Sequence, residues 1–279
     1  MPELPQMQAL AERLDEVLAG ATLVRSDLLG FTALKTVQPS PDELVGAKLE
    51  HVGRRGKYLV FDYEGGRRVL VHLSQAGRLD VEPRAKATKP RGSVVRFVFD
   101  GDRGLLVREH GTQRKAGWWV LAPGDDGPLA TLGPEPFDDA AAELLLTDDS
   151  NRHLHTLLRD QHFIPGVGRG YADDILNRAR LSPFASLRTL DADQRQRLVA
   201  TVRAVLTEGL AKERTREGGL SDAKLGGNFT VHNHHGDPCP NCGDPLEHVS
   251  FESHEIVYCP TCQTGGRKLA DRRLSRLLR

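Results

Sequence analysis

The chain has 279 residues, of which 39% are hydrophobic and 27% are charged, proportions that are ordinary for a globular protein of roughly two domains. Its 38 basic and 38 acidic side chains give a formal net charge of zero, which argues against a generic polyanion binder. No stretch approaches the ~18 apolar residues of a membrane span, and the acidic N-terminus lacks the basic leader of a secretory signal. We therefore expect a cytoplasmic protein.

The first predicted element is an amphipathic helix that begins almost at the N-terminus. Apolar residues recur at spacings of three and four from Leu4 to Leu18, and Gly20 follows as a stop signal. From Thr22 to about Leu121 the pattern changes to short runs rich in β-branched and aromatic residues, separated by Gly, Asp and Pro. Such runs predict an antiparallel sandwich or barrel.

A stretch rich in Pro, Gly and Asp at 123–136, PGDDGPLATLGPEP, is the best domain boundary. Helical patterns follow it in DDAAAELLL, RHLHTLLRDQ, YADDILNRAR and the long run from Asp191 to Glu213. The polar, glycine-containing stretch from Arg214 to Asn228 is expected to be a mobile loop. The second half of the chain therefore begins as a cluster of helices.

The four cysteines, Cys239, Cys242, Cys259 and Cys262, form two C-x2-C pairs separated by sixteen residues. This spacing is typical of a site in which four thiolates hold one tetrahedral Zn²⁺, with a β-hairpin between the pairs. Two disulfides or a chance spacing are the alternatives, and the lack of a secretory signal disfavours them. Four thiolates leave no coordination position open, so the zinc is expected to be structural rather than catalytic.

Three features in the second half of the chain suggest contacts with phosphate. The glycines of IPGVGRGY at 164–171 let the backbone turn sharply and point N–H groups outward from a helix N-terminus, although a plain helix connection fits equally well. The segment from Arg267 to Arg279 carries six basic residues against one acid, either as a phosphate-contacting surface or as a solvated tail. His232, His234 and His235 are interpreted as surface or phosphate-facing residues rather than further metal ligands.

Six motifs occur along the chain in a fixed order. They are MPELP at the start, GRRGKYL at 53–59, HLSQAGRL at 72–79, LGPEPF at 132–137, GVGRGYADDIL at 166–176 and CPTCQ at 259–263. In this ordered set the chain resembles bacterial formamidopyrimidine-DNA glycosylases and endonuclease VIII. Each motif is moderately specific, whereas the set spans essentially the whole chain and is highly specific.

The resemblance implies an α+β protein of two domains. An N-terminal antiparallel β-sandwich with a leading helix would be followed by a C-terminal helical domain with a helix-two-turn-helix and a four-cysteine zinc finger. Together with the composition, this places a catalytic domain at 1–125, a linker at 126–136, a helical DNA-binding domain at 137–230, and the zinc finger with its basic tail at 231–279.

The resemblance also implies a bifunctional DNA glycosylase and abasic-site lyase of base excision repair, which removes oxidised bases. After removal of the initiator methionine, the secondary amine of Pro2 can attack C1′ of the damaged nucleotide and form a Schiff base. Glu3 matches the general acid and base of the family, and Lys57 matches its lysine that contacts phosphate beside the lesion. Since C1′ is buried in the duplex, the nucleotide has to be flipped out.

Near the expected active site, three parts of the chain depart from the family pattern. Gln6 stands where the family has a second glutamate, so support for proton transfer at that point is lost or replaced. Gln75 replaces the methionine that enters the void left by the flipped base. The segment REHGTQRK at 108–115 replaces an Arg-Phe pair that fills the same gap and reads the opposite base. Opposite-base selectivity is therefore not carried over.

The expected DNA-backbone contacts also depart from the pattern. Beside Gly168, Arg169 stands where the family has an asparagine, so charge replaces an amide hydrogen bond. His254 stands where an arginine of the zinc hairpin normally grips the phosphates around the lesion, and it lacks the bidentate fork of arginine. Either His254 does this weakly, or Arg267 substitutes for it.

We therefore expect one structural Zn²⁺, damaged double-stranded DNA as the partner, no membrane, and a monomer in the bacterial cytosol or nucleoid. One alternative keeps the fold but only binds lesions or abasic sites, or acts only as a lyase. Another assigns the zinc ribbon to an RNA or protein partner. The preferred lesion stays open, because the expected base-covering loop at 214–228 has no decodable specificity.

Overall fold

The protein, as a computed structural model, is described for residues 1–110, 114–216, 228–251 and 254–270. Its contacts divide the chain into two compact units, one formed by Met1–Thr131 with Leu210–Gly226 and the other by Leu132–Gly209 with Gly227–Arg279. The finer division into a linker and a separate zinc finger stays a prediction.

The first unit begins with helix α1 (Leu4–Leu18), whose apolar spacing gives it one buried face. The predicted stop signal is in place, because Gly20 follows the helix with a φ of 85°, a conformation that costs glycine no steric strain. Helix α1 packs mainly on two strands, the β2 and β3 defined below.

Eight strands complete the first unit: β1 (Leu23–Leu28), β2 (Leu49–Arg55), β3 (Tyr58–Tyr63), β4 (Arg68–His72), β5 (Gly77–Glu82), β6 (Ser93–Phe99), β7 (Gly104–Glu109) and β8 (Gly117–Leu121). They form two four-stranded antiparallel sheets in the orders β1-β6-β7-β5 and β2-β3-β4-β8. Phe97 of the first sheet lies 6.3 Å from Phe61 and 5.4 Å from Trp118 of the second, measured between ring centroids. The sheets thus pack face to face, and the predicted sandwich is confirmed.

The second unit contains helices α2 (Asp139–Thr147), α3 (Leu154–Leu158) and α4 (Arg169–Arg178), and most of α5 (Ala192–Arg214). It ends with the hairpin of β9 (Glu247–Phe251) and β10 (His254–Tyr258) and the short helix α6 (Pro260–Thr264). The hairpin between the cysteine pairs is therefore confirmed. None of the helices in the described residues is long and apolar enough to cross a membrane.

Helix α3 is shorter than the pattern over 152–161 predicts. After Leu158 the chain turns, and the side chain of Gln161 accepts a hydrogen bond from Gly166 N–H and donates one to the carbonyl of Val167, both at 2.9 Å. A side chain that would have continued the helix instead fixes the glycine-containing turn before α4.

Candidate functional site

Pro2 and Glu3 lie where the chain enters α1. Pro2 is buried and Glu3 is 4% exposed, whereas Met1 is 49% exposed. Glu3 is the N-cap residue, with an extended backbone. The proline ring restricts the backbone torsion at this point, so removal of Met1 would leave a secondary amine in a defined place at the start of a buried helix.

Gln6 links the start of α1 to a carboxylate from a distant part of the chain. Its Oε1 accepts a hydrogen bond from the backbone N–H of Glu3 at 3.0 Å, and its Nε2 donates one to Oε1 of Glu213 at 3.2 Å. Glu213 is 2% exposed and lies near the end of α5, in the part of that helix that belongs to the first unit. A carboxylate therefore lies beside position 6, although the sequence has glutamine there.

Lys57 lies in the turn between β2 and β3 and is 5% exposed. This hairpin is tied to α1, because Nε of Arg54 donates a hydrogen bond to Oε1 of Gln8 at 2.9 Å. Burial, and then the charge of Lys57, lower the pKa of His72 to about 4. His72 is therefore neutral at pH 7.

Gln75 is exposed in the tight turn that leads from β4 to β5. In that turn Gly77 N–H donates to the carbonyl of Leu73 at 2.8 Å, and a Cβ at Gly77 would meet the same oxygen at 2.2 Å. The neighbouring Ala76 accepts a hydrogen bond from His110 N–H at 3.0 Å. The two segments that the sequence analysis assigned to one gap are thus adjacent, at Gln75 and at the end of β7.

Glu109 organises the second of these segments. It is 4% exposed, and its carboxylate accepts hydrogen bonds from the backbone N–H groups of Lys115 at 2.9 Å and Ala116 at 3.2 Å. Sequence reasoning missed this residue, because a glutamate at the end of a strand gives no signal of what it binds. Residues 111–113 of the segment lie outside the described residues.

Arg169 and His254 come from different elements of the second unit and meet. Arg169 is exposed at the first position of α4, His254 is the first residue of β10, and Nη1 of Arg169 lies 3.5 Å from Nδ1 of His254. Gly168 is the N-cap of α4. The two expected DNA-backbone contacts that depart from the family pattern therefore form one local surface, with the Arg169 guanidinium on the helix and the His254 imidazole on the hairpin.

Arg267 is exposed and bonds locally, with its Nε 3.5 Å from the carbonyl of Thr264. Two further predictions lie outside the described residues: the basic segment at 271–279 and the central part of the expected base-covering loop, 217–227.

The four cysteines converge as the spacing predicts, with their sulfur atoms all within 4.8 Å of one another. The Sγ atoms of Cys239 and Cys262 are 4.0 Å apart, and those of Cys242 and Cys259 are 3.5 Å apart. A tetrahedral ion with Zn–S bonds of about 2.3 Å requires S–S separations of about 3.8 Å. The residues present therefore fit one structural zinc ion.

The surroundings of the cysteines also suit a metal. The Asn241 N–H and the Asn177 amide donate hydrogen bonds to Sγ of Cys239 at 3.4 and 3.6 Å, which stabilises the thiolate form that a metal requires. Asn177 of α4 also donates to Oε1 of Gln263 at 3.1 Å, and Asn241 Nδ2 donates to the Asn177 carbonyl at 2.9 Å. These amide contacts attach α4, which carries Arg169, to the zinc site.

His232 is half-buried, and its side chain contacts a buried carboxylate, whereas His234 and His235 are exposed. Nδ1 of His232 lies 2.6 Å from Asp173, whose other oxygen lies 3.2 Å from Nε2 of His155. The next residue, Asp174, accepts hydrogen bonds from the N–H groups of 230–232 at 2.9 to 3.3 Å. These carboxylates hold the chain after residue 228 against α4.

Comparison with known proteins decides the relationship. The formamidopyrimidine-DNA glycosylase N-terminal domain matches residues 1–119, the H2TH domain of that glycosylase matches residues 132–218, and a zinc finger found in FPG and IleRS matches residues 236–265. The formamidopyrimidine-DNA glycosylase of Geobacter metallireducens is 34% identical over 277 residues, covering 95% of this chain and 100% of that protein. The chain belongs to the formamidopyrimidine-DNA glycosylase family.

Solved structures agree with this assignment. The crystal structure of the MutM (Fpg) protein from Thermus thermophilus superimposes with a TM-score of 0.80 at 30% identity, covering 96% of this chain and 100% of that one. The Lactococcus lactis Fpg, solved in a complex with DNA containing N7-benzyl-Fapy-dG, gives a TM-score of 0.83 at 22% identity and covers 94% of this chain. At that identity the second match shows the common fold of this glycosylase family.

Proposed function

We propose that this member of the formamidopyrimidine-DNA glycosylase family is a bifunctional glycosylase and abasic-site lyase that acts on damaged double-stranded DNA. The observation that carries the proposal is the placement of Pro2 and Glu3, buried together at the start of α1 in a chain that matches the family over both units. It would work in the bacterial cytosol or nucleoid, where its substrate lies.

In the proposed reaction the lone pair of the Pro2 nitrogen attacks C1′ of the flipped nucleotide. The bond from C1′ to the base breaks, and the base leaves with the electron pair and takes up a proton. Glu3 protonates the ring oxygen O4′ as the C1′–O4′ bond opens, while the nitrogen loses its own proton, which leaves a positively charged iminium at C1′.

The iminium withdraws electrons and so acidifies C2′. Glu3, now a base, removes a proton from C2′ as the C3′–O bond breaks and the 3′ phosphate departs. In a second elimination a proton is lost from C4′ as the C5′–O bond breaks and the 5′ phosphate departs, and water then hydrolyses the iminium to free Pro2. Lys57, buried in the hairpin attached to α1, is proposed to hold a phosphate next to the reacting sugar.

The remaining DNA contacts are proposed from their exposure and position. Gln75 is presented by a tight turn and would enter the space left by the flipped base. Gly168 and Arg169 at the start of α4, with His254 beside them, would contact the DNA backbone. Arg267 is exposed beyond the zinc site and would add a further phosphate contact.

Borohydride trapping on a duplex with an abasic site tests the proposal. The wild type should form a covalent adduct, and Pro2→Gly should trap more than about tenfold more slowly, because the secondary amine is lost. Pro5→Ala is the matched control, since it changes the other proline of this helix start and leaves the amine intact. No adduct from the wild type, or equal trapping by Pro2→Gly, would refute the proposal; tight lesion binding without cleavage would select a lesion-binding protein.

A further inference from the structure

We propose that Glu213 is a positioning residue for the reaction at Pro2 and Glu3, acting through Gln6. The inference rests on the proposed function. It starts from a buried glutamate and a buried glutamine that are separated by 207 residues and joined by a hydrogen bond within the first unit.

The hydrogen bonds of Gln6 fix which way its amide points. A carboxylate paired with a guanidinium only accepts hydrogen bonds, so Glu213 requires the NH₂ group of Gln6 on its side. The amide oxygen of Gln6 then has to face the backbone N–H of Glu3, as observed at 3.0 Å. A flipped amide would set N–H against N–H and oxygen against carboxylate, which is unfavourable in a buried place. Glu213 thus fixes the peptide group next to Pro2.

Arginines contact Glu213 at both its side chain and its backbone. Nη1 of Arg216 lies 3.3 Å from Oε2 of the carboxylate. From α1, Nη2 of Arg13 donates a hydrogen bond to the backbone carbonyl of Glu213 at 2.6 Å. A buried carboxylate with a guanidinium partner and a firmly anchored backbone can determine the orientation of a neighbouring amide.

The exposed contact between the same two helices supplies a control. Arg214, the residue after Glu213, donates hydrogen bonds to the carboxylate of Glu12 in α1 at 2.6 and 2.8 Å. This pair is exposed to solvent. Glu12→Gln therefore weakens the attachment of α5 to α1 without touching Gln6 or Glu3. This variant therefore distinguishes an effect of attaching the end of α5 to α1 from an effect of orienting the start of α1.

The test is a reciprocal exchange of the two side chains. Gln6→Glu places two carboxylates in contact, and Glu213→Ala removes the acceptor of the Gln6 amide. Each should slow single-turnover trapping on an abasic-site duplex by on the order of 10–100-fold, because misplacement of a reacting group is costly. The double variant Gln6→Glu with Glu213→Gln restores both hydrogen bonds, because the carboxylate at position 6 accepts one from Glu3 N–H and one from the amide at position 213. Its trapping rate should return to within about threefold of the wild type. Glu12→Gln should trap at the wild-type rate.

Melting temperatures and duplex affinities measured on the same proteins separate folding from positioning. The inference expects the rates to follow the exchange at a temperature where every variant is folded, with affinity for the abasic duplex little changed. It is overturned if Gln6→Glu or Glu213→Ala traps at the wild-type rate, if the exchange restores melting temperature but not rate, or if Glu12→Gln is equally slow. Absence of any adduct from the wild type overturns the proposed function, and this inference with it.

Discussion

At the scale of single residues, the surroundings of His72 disfavour the protonated form of its imidazole. His72 packs its ring 4.9 Å from Tyr58, measured between centroids, and Tyr58 in turn contacts Trp119. Within this cluster, burial and the nearby Lys57 lower the pKa of His72 from 6.5 to about 4. His72 therefore stays neutral near neutral pH.

This shift predicts a loss of stability in acid. The unfolded chain takes up a proton at His72 below pH 6.5, whereas the folded protein does not do so until about pH 4. The free energy of unfolding should therefore fall as the pH drops through this window, by at most roughly 2–3 kcal/mol from this residue. His72→Phe keeps an aromatic ring and removes the titration. Chemical unfolding at pH 7 and pH 4.5 should show a smaller decrease for this variant, and equal decreases would contradict the assignment.

Single residues also show where sequence reasoning succeeds. The four cysteines could be assigned to zinc because their spacing is local, and a C-x2-C pair brings two sulfurs together whatever the rest of the chain does. Glu213 could not be found, because its significance depends on a contact across 207 residues. The same holds for Arg169 and His254, whose positions could be named from motifs but whose contact at 3.5 Å could not.

At the scale of secondary structure, five of the eight sandwich strands coincide with the β-rich runs KYLVFDY, RRVLVHL, SVVRFVF, GLLVRE and GWWVLA, whereas no such run marks β1, β2 or β5. Strand β5 (Gly77–Glu82) carries Arg78 and Asp80 between its buried residues, so its composition resembles a loop. It nevertheless pairs with β7 over its whole length. Backbone pairing with a strong apolar neighbour decides such strands, and a single sequence does not reveal which neighbour that is.

The first turn of α4 contains a glycine, Gly170, whose lack of a side chain is needed for packing. A Cβ at Gly170 would lie 2.2 to 2.6 Å from ring atoms of Phe229. In an open helix Gly→Ala would stabilise by up to about 1 kcal/mol, but here the overlap should dominate and destabilise by about 1–3 kcal/mol. We expect Gly170→Ala to unfold more easily and to bind duplex DNA more weakly, as measured by circular dichroism and fluorescence anisotropy.

Relief of the overlap provides the control for this experiment. Adding Phe229→Leu to Gly170→Ala opens space next to the new methyl group, so the double variant should recover much of the lost stability. If Gly170→Ala alone stabilises the protein, the close contact between Phe229 and α4 is not retained in solution.

At the scale of the whole molecule, the protein has two compact units with separate hydrophobic cores. Both tryptophans, Trp118 and Trp119, are in β8 of the first unit, and the zinc site is in the second. The family match extends across both units. Tryptophan fluorescence therefore reports on the unit with Pro2 and Glu3, and not on the unit with the zinc ligands.

Removal of zinc should accordingly affect the two units differently. Four thiolates without their metal repel one another or take up protons, and the energy of metal binding that supports the hairpin is lost. A strong chelator should lower amide-exchange protection in β9, β10 and the C-terminal half of α4, where Asn177 contacts Cys239. Duplex affinity should fall with it, because the proposed DNA contacts, His254 and Arg169, lose their support. The thermal transition followed by tryptophan fluorescence should shift by no more than about 2 °C, since the sandwich core holds no metal ligand.

Cys262→Ala should reproduce these effects without a chelator. A fluorescence transition that falls in step with zinc loss would show that the stability of the sandwich depends on the zinc finger.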